Sequence, residues 1–170
     1  MSKVLVLDTS VLCVWLDVPG MTQYGPTDHS WDKDSVARKI REEQDSQTTF
    51  VLPLACIIET GNHIAKSNHS RYERGKDLAD IIRQSANEQS PWAAFSDQSV
   101  LWSRKKLLEL ADSWPDLAAR CTSLADATIK DVAEHYAQMG FRVEIFTGDD
   151  GLKAYQPCVK AEIPRRRKRR

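Results

Sequence analysis

The sequence lacks the patterns that mark several common classes of protein. It contains no CxxC pair, no HExxH motif and no other Cys/His spacing typical of a structural zinc site. It has no GxxxxGK[ST] phosphate loop, which argues against an NTPase. No stretch approaches 18 uninterrupted apolar residues, and an acid at position 8 interrupts the first short apolar run, so we expect neither a signal peptide nor a membrane span. These absences favour a cytoplasmic protein.

The composition indicates a single globular domain. The chain has 170 residues, of which 41% are hydrophobic and 28% charged, enough for one core but not for a second full domain. We assign residues 1–163 to the domain and residues 164–170 to a basic tail, which we expect to be disordered. The four cysteines are far apart and stand among apolar or small residues, which predicts reduced thiols in or near the core: Cys13, Cys56, Cys121 and Cys158.

The charges are unevenly distributed, although the formal net charge is zero. Six of the 24 basic residues form the C-terminus, and the remaining 18 stand against 24 acidic residues, a net charge of minus 6. Such a tail either contacts nucleic acid or folds onto an acidic partner, and a solvated terminus explains it equally well. The tail residues that we expect to contact nucleic acid are Arg165, Arg166, Arg167, Lys168, Arg169 and Arg170.

The hydrophobic pattern of the first half predicts alternating strands and helices. "SKVLVLD" is typical of a short buried strand, and the residues that follow it have helical spacing. Residues 18–30 hold two prolines and two glycines and predict a loop, followed by a helix over residues 31–45. "TTFVLP" predicts a second strand and "LACIIETGNHIAKS" a helix after it.

The second half is mainly helical until its last third. Residues 71–114 predict two antiparallel helices, separated by the turn-like "SPWAAFSD". Residues 115–140 carry a further helix that ends at Gly140, and "FRVEIFT" alternates like a strand. "GDDGLKAY" predicts a short helix, and "CVKAEI" a last strand. This order predicts an α/β fold with a mostly parallel sheet flanked by helices.

Acidic residues recur where these strands end or where the next helix begins. Each has a simple structural explanation. Asp8 is a natural N-cap, Glu59 suits an exposed helix boundary, and Asp126 completes a capping box with Ser123. Asp149 and Asp150 suit a turn or a helix N-cap.

These explanations do not predict that the acids converge, yet in a parallel sheet the carboxyl ends of the strands meet at one edge. Several carboxylates in one place repel one another unless a cation neutralises them. Hard oxygen ligands favour Mg²⁺ or Mn²⁺ with open coordination positions. The natural substrate of such a site is a phosphodiester.

Four segments together resemble the ordered motifs of the PIN-domain nucleases. They are "VLVLDTSVL", "PLACIIETGNHI", "SLADATIKDVA" and "VEIFTGDDGLKAY", and they span residues 4 to about 155. The resemblance implies a three-layer α/β/α sandwich that binds one or two Mg²⁺ or Mn²⁺ ions and cleaves RNA, as in VapC-like toxins. The residues that it implies as catalytic metal ligands are Asp8, Glu59, Asp126 and Asp149.

The resemblance also implies supporting residues and partners. Ser10 and Thr147 match hydroxyl residues that hold water or orient a ligand, and the doubled acid leaves either Asp149 or Asp150 as the fourth ligand. We expect Asp149 to bind the metal and Asp150 to cap the helix after it or to support the site. An RNA substrate, an antitoxin or regulatory protein and a homodimer are the implied partners, in a toxin–antitoxin or anti-phage defence system.

Three other functions are alternatives to this one. A haloacid-dehalogenase-like phosphatase needs a second acid two residues after the first, and position 10 is serine. A receiver domain needs paired acids near its start and a late lysine at a strand end, and neither pattern is convincing. A non-catalytic PIN-like scaffold or RNA-binding module is the main alternative.

The basic tail leads to the first prediction. Truncation after Pro164 should weaken RNA binding and flatten its salt dependence by up to about four units of log–log slope, if each of the six charges meets a phosphate at roughly 0.7 units each. RNA affinity measured across a salt series in the full-length and truncated proteins tests this. Equal affinities and slopes would leave the tail without a role in RNA binding.

Overall fold

The computed structural model describes residues 2–25, 30–155 and 157. Its centre is a three-stranded parallel sheet flanked by helices. β1 (Lys3–Leu7) pairs with β4 (Thr49–Val51) on one side and with β5 (Arg142–Phe146) on the other. This confirms the predicted α/β class with its parallel sheet and the positions of all three strands.

The central strand is apolar throughout because both of its faces are covered. Val4, Leu5, Val6 and Leu7 have no exposed surface, as expected for a strand in the middle of a parallel sheet. The sheet extends beyond β4 through an isolated parallel bridge between Phe50 and Trp92. "SPWAAFSD", predicted as a turn, therefore also contributes to the sheet edge.

The helices follow the apolar periodicity of the sequence, with specific caps at several of their starts. α1 (Thr9–Trp15) begins directly after Asp8, and α2 (Lys33–Asp45) begins with a reciprocal capping box between Asp32 and Ser35. α3 (Leu54–Lys66) and α4 (Arg71–Ala86) follow β4 as predicted. α6 (Leu124–Gln138) ends before Gly140, whose positive φ of 91° suits glycine.

The loop predicted for residues 18–30 differs in part. β2 (Gln23–Tyr24) and β3 (Trp31–Asp32) form a small antiparallel sheet. Trp31 packs edge-on against Phe146, with the ring centroids 4.9 Å apart. This contact attaches the small sheet to the carboxyl end of β5.

The second difference from the prediction concerns residues 95–119. A 3-10 helix occupies Phe95–Trp102, and α5 (Arg104–Ala119) starts later than predicted and continues through Pro115. α5 contacts the 3-10 helix and α6, whereas α4 contacts α3 and the 3-10 helix. The 3-10 helix therefore connects, and contacts, the two helices that we predicted as an antiparallel pair joined by a turn.

The last helix and the cysteines complete the comparison. α7 (Asp150–Lys153) matches the predicted short helix. Cys13 and Cys56 are buried as predicted, but Cys121 is exposed, so its placement near the core was wrong. Cys158, the strand predicted at "CVKAEI" and the basic tail lie outside the described residues. None of the helices in the described part is long and apolar enough to cross a membrane.

The amino end of the sheet carries a compact ion cluster, which we call the amino-end cluster: Lys3, Lys39, Glu43 and Glu144. Glu43 is 6% exposed and also accepts a hydrogen bond from Thr48, at 2.6 Å. Burial acts to raise the pKa of Glu43, but the hydrogen bonds from Lys3, Lys39 and Thr48 outweigh burial and lower this pKa to about 2. The carboxylate is therefore more stable in the folded chain than in the unfolded one.

We expect Glu43→Gln to lower the free energy of unfolding at pH 7 by about 1–3 kcal/mol, at roughly 1.4 kcal/mol per pKa unit less the screening of the partly exposed lysines. The contribution of this carboxylate is complete above its unfolded pKa near 4.5 and is lost as pH falls towards 2. Urea denaturation across that pH range should therefore show a smaller pH dependence in the variant. Glu42→Gln, an exposed neighbour on α2, is the matched control, and equal losses in both variants would contradict the prediction.

Candidate functional site

Asp8 lies at the carboxyl end of the central strand, and its side chain is held by three donors. Its Oδ1 accepts a hydrogen bond from the Thr9 backbone N–H at 2.7 Å. Its Oδ2 accepts bonds from the Ser10 hydroxyl at 2.5 Å and from the Thr147 hydroxyl at 2.8 Å. The residue is only 5% exposed. The structure thus confirms the expected N-cap position, and it also joins Asp8 to residues of α1 and to the end of β5.

The electrostatics of Asp8 reflect this burial. Removal from water raises the pKa of Asp8, the three hydrogen bonds oppose that rise, and the negative charge of Asp126 adds to it. The carboxylate is therefore held in a place where a positive charge would stabilise it. Ser10 and Thr147, predicted to orient a ligand, here orient Asp8 itself.

Glu59 is connected to Asp8 through one intervening residue. Its Oε2 accepts a hydrogen bond from the Thr9 hydroxyl at 3.0 Å, and Thr9 donates its backbone N–H to Asp8. Glu59 stands on α3, which packs against α1, and it is half-buried. It therefore belongs to the same edge of the sheet. Nothing in the sequence pattern indicated that Thr9 would connect the two acids.

Asp126 stands in the first turn of α6. Its backbone N–H donates to the Ser123 hydroxyl at 3.0 Å, which confirms Ser123 as the N-cap of this helix, but the reciprocal bond of the predicted capping box is not found among the described residues. The Asp126 side chain is half-buried, and its charge contributes to the raised pKa values of both Asp8 and Tyr24. The Asp126 charge is therefore near enough to Asp8 to affect that carboxyl.

The "TGDD" turn differs from its prediction by one residue. Asp149, not Asp150, is the N-cap of α7, and its Oδ1 accepts from the backbone N–H groups of Gly151 at 2.7 Å and Leu152 at 3.1 Å. Our expectation that Asp150 caps this helix was wrong. Asp150 is instead the first helical residue and is exposed. The Asp149 backbone N–H donates to Thr147 Oγ1 at 2.9 Å, which ties the turn to the hydroxyl that holds Asp8.

Tyr24 belongs to this edge, although no motif in the sequence indicated it. Burial raises the pKa of Tyr24, and the charges of Asp149, Asp8 and Asp126 raise it further. One tyrosine of the small antiparallel sheet thus lies near three of the predicted acids. The only signal in the sequence was the glycine in "TGDD", because a Cβ at Gly148 would stand 2.5 Å from Tyr24 Cδ1.

The acids of this edge have no basic partner among the residues that the structure describes. The salt bridges found there involve other carboxylates, including those of the amino-end cluster, and none involves Asp8, Glu59, Asp126, Asp149 or Asp150. The basic residues that we predicted to contact nucleic acid, Arg165, Arg166, Arg167, Lys168, Arg169 and Arg170, lie outside that part of the chain.

The carboxylates of this edge are a suitable type of ligand for a divalent cation, but their arrangement in the described residues does not form a complete binding site. Carboxylate oxygens are the ligands that Mg²⁺ and Mn²⁺ prefer. As the side chains stand in residues 2–25, 30–155 and 157, however, no three His, Cys, Asp or Glu side chains are grouped closely enough to hold one ion. The acids of the edge are related only in pairs. The charge of Asp126 acts on Asp8, and Thr9 donates hydrogen bonds to both Asp8 and Glu59.

Comparisons of the chain with known protein families, with curated proteins and with solved structures found no match. Its function is therefore inferred from the sequence motifs and from the side chains at the carboxyl edge of the sheet.

The capping assignment predicts how the two acids of the turn differ in their effect on stability. Asp149→Ala removes the acceptor for two backbone N–H groups and should lower the free energy of unfolding by about 0.5–2 kcal/mol. Asp149→Asn keeps a side-chain oxygen and should lose less, and Asp150→Ala should change stability by less than about 0.5 kcal/mol. Chemical denaturation of the three variants measures this. A larger loss for Asp150→Ala would return the cap to Asp150.

Proposed function

We propose that the chain is a Mg²⁺- or Mn²⁺-dependent endoribonuclease of the PIN type. The observation that carries the proposal is the buried Asp8 carboxylate, held by Thr9, Ser10 and Thr147 among acids that have no basic partner in the described residues. A structural cap needs neither that burial nor further acids beside it. A cation at this edge would stabilise these carboxylates, which lack basic partners in the described residues.

The residues at this edge would have different roles in RNA cleavage. Asp8, Asp126, Glu59 and Asp149 would hold the cation, which when bound supplies an activated water and stabilises negative charge on the phosphate. Ser10 and Thr147 keep the Asp8 carboxylate in one orientation, so that little reorganisation is needed when a substrate arrives. Asp149 retains Oδ2, for which no hydrogen bond is found in the described part of the chain.

The second candidate function is a non-catalytic PIN-like scaffold or RNA-binding module. The separation of the described carboxylates into pairs, without a group of three, favours this alternative. The two functions differ in their response to metal. Mn²⁺ should raise the melting temperature of a nuclease site by mass action and leave a scaffold unchanged.

The proposed activity extends to a biological role. A ribonuclease toxin of a toxin–antitoxin or anti-phage defence system harms its own cell unless it is restrained, so we propose an antitoxin or regulatory protein as partner. Arg165 to Arg170 would add phosphate contacts to RNA, and a homodimer would present two such sites.

Cleavage of a labelled single-stranded RNA should require Mg²⁺ or Mn²⁺, stop in EDTA and resume when excess Mn²⁺ is added. Asp8→Asn and Asp126→Asn should each lower the cleavage rate at least about 100-fold, because each removes a charge that would face the cation. The metal-free melting temperature of Asp126→Asn should stay equal or rise slightly, since one negative charge is removed; Asp8→Asn should remain folded, because relief of the buried charge offsets the loss of one acceptor oxygen.

Asp112→Asn, which changes an exposed acid on α5, is the control and should cleave like the wild type. Full activity after thorough chelation would remove the metal from the proposal. Unfolding of both Asp8→Asn and Asp126→Asn would support a purely structural role for these acids.

A further inference from the structure

An open cleft lies beside the acidic edge. Its volume is about 430 Å³, within the range of small-molecule sites. The small antiparallel sheet forms one wall and the turn after β5 the other, and the lining residues are Gln23, Tyr24, Gly25, Gly148, Asp149 and Asp150. The proposed function assigns no ligand to this cleft.

The Tyr24 ring is the largest side chain that lines the cleft, and its neighbours limit where it can lie. Tyr24 pairs with Trp31 across the small sheet, and Trp31 packs against Phe146 at the end of β5. On the opposite wall, a side chain at Gly148 would collide with Tyr24 Cδ1, and its Cβ would also stand 3.2 Å from the Tyr24 backbone carbon. The ring is thus held against the turn that carries Asp149, and it remains partly exposed towards the cleft.

The polar groups of the cleft select against some ligands. Two carboxylates, those of Asp149 and Asp150, line it, so a phosphate in the cleft itself would be repelled. Asp150 does not cap α7 and is exposed, which leaves its oxygens able to accept hydrogen bonds. Gln23 adds an exposed amide that both donates and accepts. A flat, uncharged ring with an amino group on its edge suits this set.

We propose that the cleft binds a nucleobase with an exocyclic amino group, stacked on Tyr24 and donating to the carboxylate of Asp150. This inference rests on the proposed function, because it places the base beside the edge where the backbone of the same RNA would be cleaved. Carboxylates accept hydrogen bonds from the amino group of cytosine, and aromatic side chains stack on any base. The site therefore favours cytosine over uracil, which has an oxygen at the same position.

The test compares fluorescein-labelled oligo(C) and oligo(U) of about eight nucleotides, within the span of typical single-strand sites. Phosphorothioate linkages slow hydrolysis, and binding is measured by fluorescence polarisation in Mn²⁺. Cleavage of ordinary RNA is measured separately. Tyr24→Leu keeps an apolar side chain beside Gly148 without an aromatic face, and Tyr24→Phe keeps the face. Tyr72→Leu, at a 75% exposed tyrosine on α4, is the control, and melting temperatures verify that each variant folds.

We expect the wild type to bind oligo(C) at least fivefold more tightly than oligo(U). Tyr24→Leu should lose at least fivefold in affinity for oligo(C), while Tyr24→Phe and Tyr72→Leu stay within twofold of the wild type. Asp150→Asn should reduce the preference for oligo(C), because an amide both donates and accepts. If folded Tyr24→Leu binds both oligonucleotides like the wild type, the cleft proposal is overturned.

The outcomes separate this inference from the proposed nuclease. RNA cleavage without any effect of Tyr24→Leu on binding or base preference overturns the cleft and leaves the nuclease standing. Tyr24-dependent binding without cleavage supports the cleft as an RNA site and overturns the nuclease. A wild-type protein that binds neither oligonucleotide overturns the cleft.

Discussion

The hydrogen bonds that hold the Asp8 carboxylate join the central strand to most of the elements around the carboxyl edge. A buried carboxylate is costly unless polar groups surround it, and here Thr9 and Ser10 come from the start of α1 while Thr147 comes from the end of β5. The same Thr147 hydroxyl accepts from Asp149 and so fixes the start of α7. The start of α1, the end of β5 and the turn before α7 thus depend on one side chain.

The two ends of the sheet shift the pKa of a buried acid in opposite directions. At the amino end, Lys3 and Lys39 surround Glu43, and the pKa of that carboxyl falls to about 2. At the carboxyl end, hydroxyls and a backbone N–H hold Asp8, and the pKa of this carboxyl is raised. Hydroxyls satisfy hydrogen bonds without neutralising charge. The carboxyl edge therefore keeps its negative charge, whereas lysines neutralise the buried acid at the amino end.

Local patterns in the sequence predicted the parallel sheet and most helices. β1 could be predicted because a strand buried on both faces is continuously apolar, and α6 because Ser123 caps it and Gly140 follows its end. The end of α5 was misplaced because Pro115 normally ends or kinks a helix, yet α5 continues through it to Ala119.

The candidate site was less predictable because its decisive contacts join distant parts of the chain. The sequence named Asp8 and Thr147 but not the bond between them, which spans 139 positions. Tyr24 stood in a stretch whose glycines and prolines predicted only a loop. The cap at Asp149 was assigned to Asp150 because a one-residue shift in a turn changes no local pattern.

Gly148 shows how such a non-local contact leaves a trace in the sequence. A glycine in a turn is usually explained by its own backbone freedom, but no positive φ is found at this position among the described residues. The constraint comes instead from Tyr24, whose ring and backbone occupy the space of a side chain at Gly148. Glycine is required here because the small antiparallel sheet lies too close to the turn for a side chain. The cleft beside Asp149 lies between these two segments.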